Sequence, residues 1–181
     1  AIKDGCDQIL IINNDVEFSD NLIDKLLTIQ KEKQCSLVVP KMMYFDSPNY
    51  IWYSGAWFSR RKGYLPLHRG FKELDKDKYD RVIQVEYAPT CCLLIKKKVF
   101  YDIGMMDEKY FVYFDDTDFS YRVWQDGRHK MFYYHDVNFY HKVGSLTKSF
   151  GGNLKKNYRG DFFIKQNIRN HIYFLKKIGS F

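Results

Sequence analysis

Three clusters combine residue types and spacings that can do chemistry. The first is Asn13-Asn14-Asp15, directly after the apolar run Ile9-Leu10-Ile11-Ile12. A carboxylate on a turn at the end of a strand can hold a hard divalent cation and share it with substrate phosphates. Asn and Asp are also ordinary turn residues, so the trio alone is compatible with either role. The second is Asp115-Asp116-Thr117-Asp118, preceded by the aromatic run at 110–114. Acids in the first turn of a helix stabilise it by roughly 0.3–1 kcal/mol each, and one or two would serve that purpose. Three within four residues repel one another, and the surplus needs a cation or a raised carboxyl pKa. A carboxylate of raised pKa is what a general base requires. The third is His141, followed by Gly144 and Ser145. A single His after a strand is commonly structural; it becomes a ligand when the fold brings a carboxylate to it.

Regular elements must position these groups. Residues 8–12 read as a strand buried on both faces, as in a parallel sheet, with the 13–15 turn at its C-terminal end, where open α/β sheets bind ligands. Ser19 reads as the N-cap of a helix over 20–33, with Leu22, Leu26 and Ile29 on one face. A second short strand at 36–40 completes a β-loop-α-β order and predicts an α/β domain. Residues 42–87 break into short aromatic strands, with a hairpin tip at Arg60-Arg61-Lys62-Gly63 and an exposed, mobile excursion at 72–80. Strands follow at 82–87 and 91–95, then a helix at 97–103 stopped by Gly104. Another helix starts at Asp116 or Thr117, runs to about Gln125 and ends at Asp126-Gly127, with Phe119, Val123 and Trp124 as its apolar face. Strands at 131–134 and 137–140, a Gly151-Gly152 pair and a basic, aromatic helix over 155–177 complete the chain.

Composition narrows the classes. The 181 residues suffice for one domain with a core. No apolar run approaches the roughly 20 residues of a membrane span, so the chain reads as soluble, and it opens on a strand-like run as if cut from a larger domain. A net charge of +7 suits an anionic ligand, an anionic membrane or nucleic acid, or only a solvated lysine-rich surface. Nucleic acid is disfavoured: no single-strand or groove-binding motif is present, and that role gives the 115–118 acids nothing to do. A metal-dependent phosphoryl hydrolase would need more ligands, and the five His include no HxH or HxxxH spacing. The four Cys form no CxxC pair, which predicts reduced thiols and a cytoplasmic setting.

Taken in order, ILIINNDVEF, APTCCLLIKKKVFYDIGMMDEKYFVYFDDTDFSYRVWQDG and YHKVGS resemble the family-two glycosyltransferases, especially the bacterial rhamnosyl- and galactofuranosyltransferase-like branch. The resemblance is strongest over 5–18 and 88–145. It implies part of a GT-A fold, an α/β mixed sheet flanked by helices. The chain would be a single domain, with a metal-site βαβ segment at 1–41, an acceptor and catalytic segment at 42–150 and a C-terminal helix at 151–181. It implies inverting transfer of a sugar from a UDP-, dTDP- or GDP-sugar to a glycan or lipid-linked acceptor, in cell-surface polysaccharide synthesis.

The implied roles attach to matching positions. Asn13-Asn14-Asp15 stands at the DxD-type motif, so Asp15 is the implied ligand of Mn²⁺ or Mg²⁺; Asn13 replaces the first acid and leaves less negative charge on the metal. His141 is the implied further ligand. Asp116 is the implied base, and Asp115 stands where the family carries the longer Glu. Asp118 and Arg122 match the pattern that follows and are implied substrate contacts. Ala88, Pro89 and Thr90 stand where an acceptor-site strand lies. Trp52 and Trp57 are candidate sugar platforms, with core packing as the alternative. Arg169-Asn170 resembles a pair that the family carries in its last helix. The family's N-terminal nucleotide-binding unit does not precede Ala1, which predicts weak or absent catalysis by these residues alone. The basic last helix suits either packing with a solvated basic face or contact with an anionic membrane. A transferase-like domain kept for assembly is a further, non-catalytic alternative.

Overall fold

A computed structural model describes residues 1–142 and 161–179. In chain order the elements are β1 (Gln8–Ile12), β2 (Val16–Phe18), α1 (Leu22–Glu32), β3 (Leu37–Pro40), β4 (Met42–Tyr44), β5 (Ser47–Tyr53) and β6 (Ala56–Ser59). A 3-10 turn at Arg60–Lys62 leads to β7 (Leu65–His68), and another at Asp77–Tyr79 to β8 (Ile83–Val85). Then come β9 (Cys92–Lys96), α2 (Lys97–Ile103), α3 (Asp115–Asp126), β10 (Met131–Tyr134), β11 (Phe139–His141) and α4 (Asp161–Lys177).

The principal sheet has the order β1-β9-β3-β10-β8. Only β3 and β10 pair in parallel within it, so the α/β expectation holds with a mixed sheet. β3 and β9 are central and nearly wholly buried, in keeping with their unbroken apolar runs. α1 buries Leu22, Leu26 and Ile29, the three positions its spacing predicts. Each such burial is worth about 1.5–3 kcal/mol. A second sheet, β2-β11-β4-β5, and the β6-β7 hairpin complete the framework.

Several local expectations change. β1 is an edge strand, antiparallel to β9 and half-buried. An apolar run records that one face is covered and leaves open whether both are. The helix after the first turn starts at Leu22 with Asn21 at its cap. Ser19 instead turns its Oγ to Asn21 Oδ1 at 2.8 Å, and its carbonyl accepts the Leu22 N–H. The 72–80 excursion is largely exposed but pinned. Lys41 Nζ donates to Asp75 Oδ2 at 2.7 Å and Asp80 Oδ1 at 2.8 Å, Tyr79 is buried, and the Ile51 N–H donates to the Glu73 carbonyl. The last helix is described from Asp161; Gly144, Ser145, Gly151, Gly152 and residues 155–160 lie outside the described residues.

Candidate active site

Strand pairing assembles the first cluster. The β1–β9 register sets Ile12 opposite Cys92, and the Asn13 N–H donates to the Cys91 carbonyl at 3.0 Å. The 13–15 turn therefore lies beside Thr90-Cys91, with Asn13 and Asn14 exposed and Asp15 half-buried. Antiparallel pairing of β2 with β11 sets Val16 opposite His141, and the Lys142 N–H donates to the Asp15 carbonyl at 2.9 Å. Residues 126 positions apart in the chain thus converge, with Asp15 Oδ1 3.6 Å from His141 Nε2. The Trp52 ring meets His141 edge-on at 4.5 Å between centroids.

Burial lowers the His141 pKa, and Asp15 opposes that shift. The imidazole is held neutral, the form that ligates metals. Its Nδ1 is buried and hydrogen-bonds to nothing among the described residues. Two donors about 2.1 Å from one cation stand roughly 3–3.5 Å apart at octahedral to tetrahedral angles, so the pair fits a shared ion after a small adjustment. Among the described residues no group of three or more His, Cys, Asp or Glu could hold a metal. Two protein ligands suit a cation that completes its shell with water and phosphate oxygens.

The second cluster rests on unusual backbone. Tyr113 and Phe114 both have positive φ, 64° and 71°, a conformation that costs an aromatic residue of order 1–3 kcal/mol. Asn170 holds them there: its Nδ2 donates to the Val112 carbonyl at 2.8 Å and the Tyr113 carbonyl at 2.9 Å. Phe114 also stacks on His171 of α4, 5.2 Å between centroids. The chain then enters α3 at Asp115, at the start of the run expected to cap it; Phe114 sits at the cap position and no side chain caps the helix.

Asp116 Oδ2 accepts from the Tyr87 hydroxyl at 2.7 Å. Its Oδ1 accepts from the Thr117 N–H at 2.7 Å and from Thr117 Oγ1 at 3.2 Å. Burial, and then the adjoining Asp115 carboxylate, push the Asp116 pKa up to about 6. Burial also raises Asp115, against a hydrogen bond from Thr90. Ser120 Oγ bridges the Ala88 N–H at 3.2 Å and the Ala88 carbonyl at 3.3 Å, locking the 87–90 segment to α3.

Cys91 joins the two clusters. Its thiol is raised first by burial, and the carboxylates of both Asp116 and Asp15 add to that pressure. The Cys91 carbonyl holds the 13–15 turn at 3.0 Å, while Tyr87 and Ala88, just before it in the chain, are hydrogen-bonded to Asp116 and Ser120 of α3. Asp15, His141, Asp115, Asp116, Ala88 and Thr90 share one neighbourhood.

Other expected residues sit differently. Asp118 is fully buried, where Arg122 Nε at 2.9 Å and Lys177 Nζ at 2.9 Å engage it. Arg122 also donates to the Ile103 and Met105 carbonyls. The observed partners of both residues are internal, tying α3 to the end of α2 and to α4. Trp57 alternates on β6 with Phe58, whose ring meets Tyr87, so it points to the opposite face. Trp52 is the tryptophan brought to His141. Tyr87 was not singled out by sequence, because its partner lies 29 positions away and no local pattern marks the pairing.

No protein-family model matches the chain. Over 122 residues, 64% of this chain, it is 28% identical to Low-salt glycan biosynthesis hexosyltransferase Agl10 of Haloferax volcanii. The match covers 36% of that protein, so the chain spans about a third of its relative's length. Among solved structures, A197 from STIV aligns at a TM-score of 0.47 and 12% identity, covering 77% of this chain and 59% of that one. The sequence relationship is distant, and it is to a protein that is named as a hexosyltransferase.

Proposed function

We propose that the chain carries the catalytic and acceptor-binding half of an inverting glycosyltransferase, with a nucleoside-diphosphate sugar as donor and a glycan or lipid-linked hydroxyl as acceptor. The observation that carries the reading is a half-buried carboxylate pair, with Asp116 raised to about 6, next to an Asp15–His141 pair 3.6 Å apart. The distant hexosyltransferase relationship supports the same class.

Asp116 takes the proton from the acceptor hydroxyl as that oxygen attacks the anomeric carbon, a contribution worth about 10²–10⁴-fold. Its raised pKa makes it a stronger base than an ordinary carboxylate, while Tyr87 and Thr117 fix its orientation. Asp115, held by Thr90, faces the acceptor. Asp15 and His141 would hold Mn²⁺ or Mg²⁺, which would supply stabilisation of the charge on the departing diphosphate. Asn13 and Asn14 would add neutral contacts to the diphosphate. No covalent enzyme intermediate is required.

Calorimetric titration of Mn²⁺ into the chain, with and without UDP, dTDP or GDP, tests the reading. Nucleotide-enhanced binding that disappears in Asp15→Ala and His141→Ala is the expected result. Mn²⁺ binding indifferent to both substitutions, or no enhancement by any of the nucleotides, would overturn the placement of the diphosphate site.

A further inference from the structure

The last helix presents its apolar stripe outward. α4 packs inward through Phe174, fully buried, and Asn170, 2% exposed. At 100° per residue, Ile164, Ile168 and Ile172 share one side, turned away from Asn170, and they are 47%, 57% and 41% exposed. Leu175, on the same side by angle, is half-buried and packs against the Phe174 cluster instead. Lys165, Arg169 and Lys176 are exposed and form a second stripe along one flank.

A separate element lines the other flank. The Arg60–Lys62 turn ends in Gly63, whose carbonyl lies 2.8 Å from His171 Nε2. Gly63 has φ +61°, and a Cβ there would fall 2.8 Å from that nitrogen and 3.5 Å from Leu175. Only glycine lets the turn press this closely against α4. The result sets the exposed Arg60, Arg61 and Lys62 beside the isoleucine stripe. Among the described residues the acid nearest this face in the helix is Asp161, at its first turn.

From this geometry we infer that the face is a docking surface for an anionic lipid bilayer, with α4 lying in the membrane plane. Charge complementarity selects the occupant. An apolar stripe with cations on both flanks matches acyl chains bordered by anionic headgroups, whereas a second copy of this chain would set like charges against each other. No described helix is long and apolar enough to cross a membrane, so the contact is peripheral. The inference stands apart from the transferase reading; its failure would leave Asp116 and the metal pair untouched.

Co-sedimentation of the full chain with phosphatidylcholine vesicles, with and without 30% phosphatidylserine (an arbitrary working composition of about that value), is the test. Two variants accompany it, Ile164→Ser/Ile168→Ser/Ile172→Ser and Lys165→Gln/Arg169→Gln/Lys176→Gln. All substitutions are at exposed positions, and circular dichroism checks that each variant is folded. Binding to anionic vesicles that falls about tenfold or more in each variant is expected, with little binding to neutral vesicles. Absence of anionic-vesicle binding, or binding unchanged in folded variants, would overturn the inference. So would self-association on sedimentation that the isoleucine substitutions abolish.

Discussion

The Tyr87 hydroxyl donates a 2.7 Å hydrogen bond to Asp116 Oδ2, tying the segment before Ala88 to the first turn of α3. A donor to a carboxylate favours its charged form, so Tyr87 restrains the rise that burial and Asp115 impose on Asp116. In Tyr87→Phe the Asp116 pKa should rise further. The acidic limb of the rate–pH profile, followed by nucleoside diphosphate release, should then move up by about one pH unit, with kcat at about pH 7 falling roughly twofold. An unmoved limb would mean that another group sets it.

Asp116→Asn should separate activity from stability. Loss of the base should cost about 10²–10⁴-fold in rate. The native pKa of about 6 exceeds the unfolded value near 3.9, so the folded state binds the extra proton between these values. Stability therefore falls as pH rises from about 4 to 6 and stays lower above that window. The neutral amide removes this penalty. Denaturant titration should find the variant more stable than the parent by about 1–3 kcal/mol at pH 7 and nearly equal at pH 4. Equal stability at both pH values would contradict the raised pKa.

Asn170→Ala removes both bonds that hold the Val112 and Tyr113 carbonyls. With those two bonds lost, stability should drop by about 1–3 kcal/mol. The positive-φ pair loses its brace, so kcat should fall while KM for the donor changes little. Thermal unfolding and steady-state kinetics measure the two effects. Intact kcat would mean that packing of Phe114 on His171 suffices to place the acids.

Lys41→Met tests the pinned excursion. Lys41 is nearly buried, while Asp75 and Asp80 keep 31% and 41% exposure, so the stabilisation is discounted for solvent screening. Its loss leaves two carboxylates facing each other. Stability should fall by about 1–3 kcal/mol, and limited proteolysis should cut within 72–78 faster than in the parent. Unchanged cleavage would assign the anchoring to Tyr79 and the Glu73 backbone.

Much of the framework was readable in local pattern. The 3.6-residue spacing of Leu22, Leu26 and Ile29 matches the buried face of α1. The 97–103 helix ends at Gly104, where φ is +81°, and the next stops at Gly127, where φ is +70°, because glycine adopts that conformation without a Cβ clash. The same patterns misplaced the start of α1 and the environment of β1. Capping alternatives such as Ser19 and Asn21 lie within tenths of a kcal/mol of each other, and an apolar run does not record how many sheet faces are covered.

The candidate site divides in the same way. Residue type and short spacing picked out the 13–15 turn, the acids at 115–116 and His141, because three acids within four residues exceed what capping a helix needs and the turn and the His gain weight only beside them. The sequence by itself determined which groups are present and which short elements carry them. Only the tertiary structure decided their company. Pairing of β2 with β11 joins Asp15 to His141, Tyr87 reaches Asp116, Asn170 braces Tyr113, and Asp118 with Arg122 turns inward to Lys177. Those choices rest on strand register and helix docking between segments tens of residues apart. The free energy that selects them is shared across the whole buried core and has no local signature in the chain.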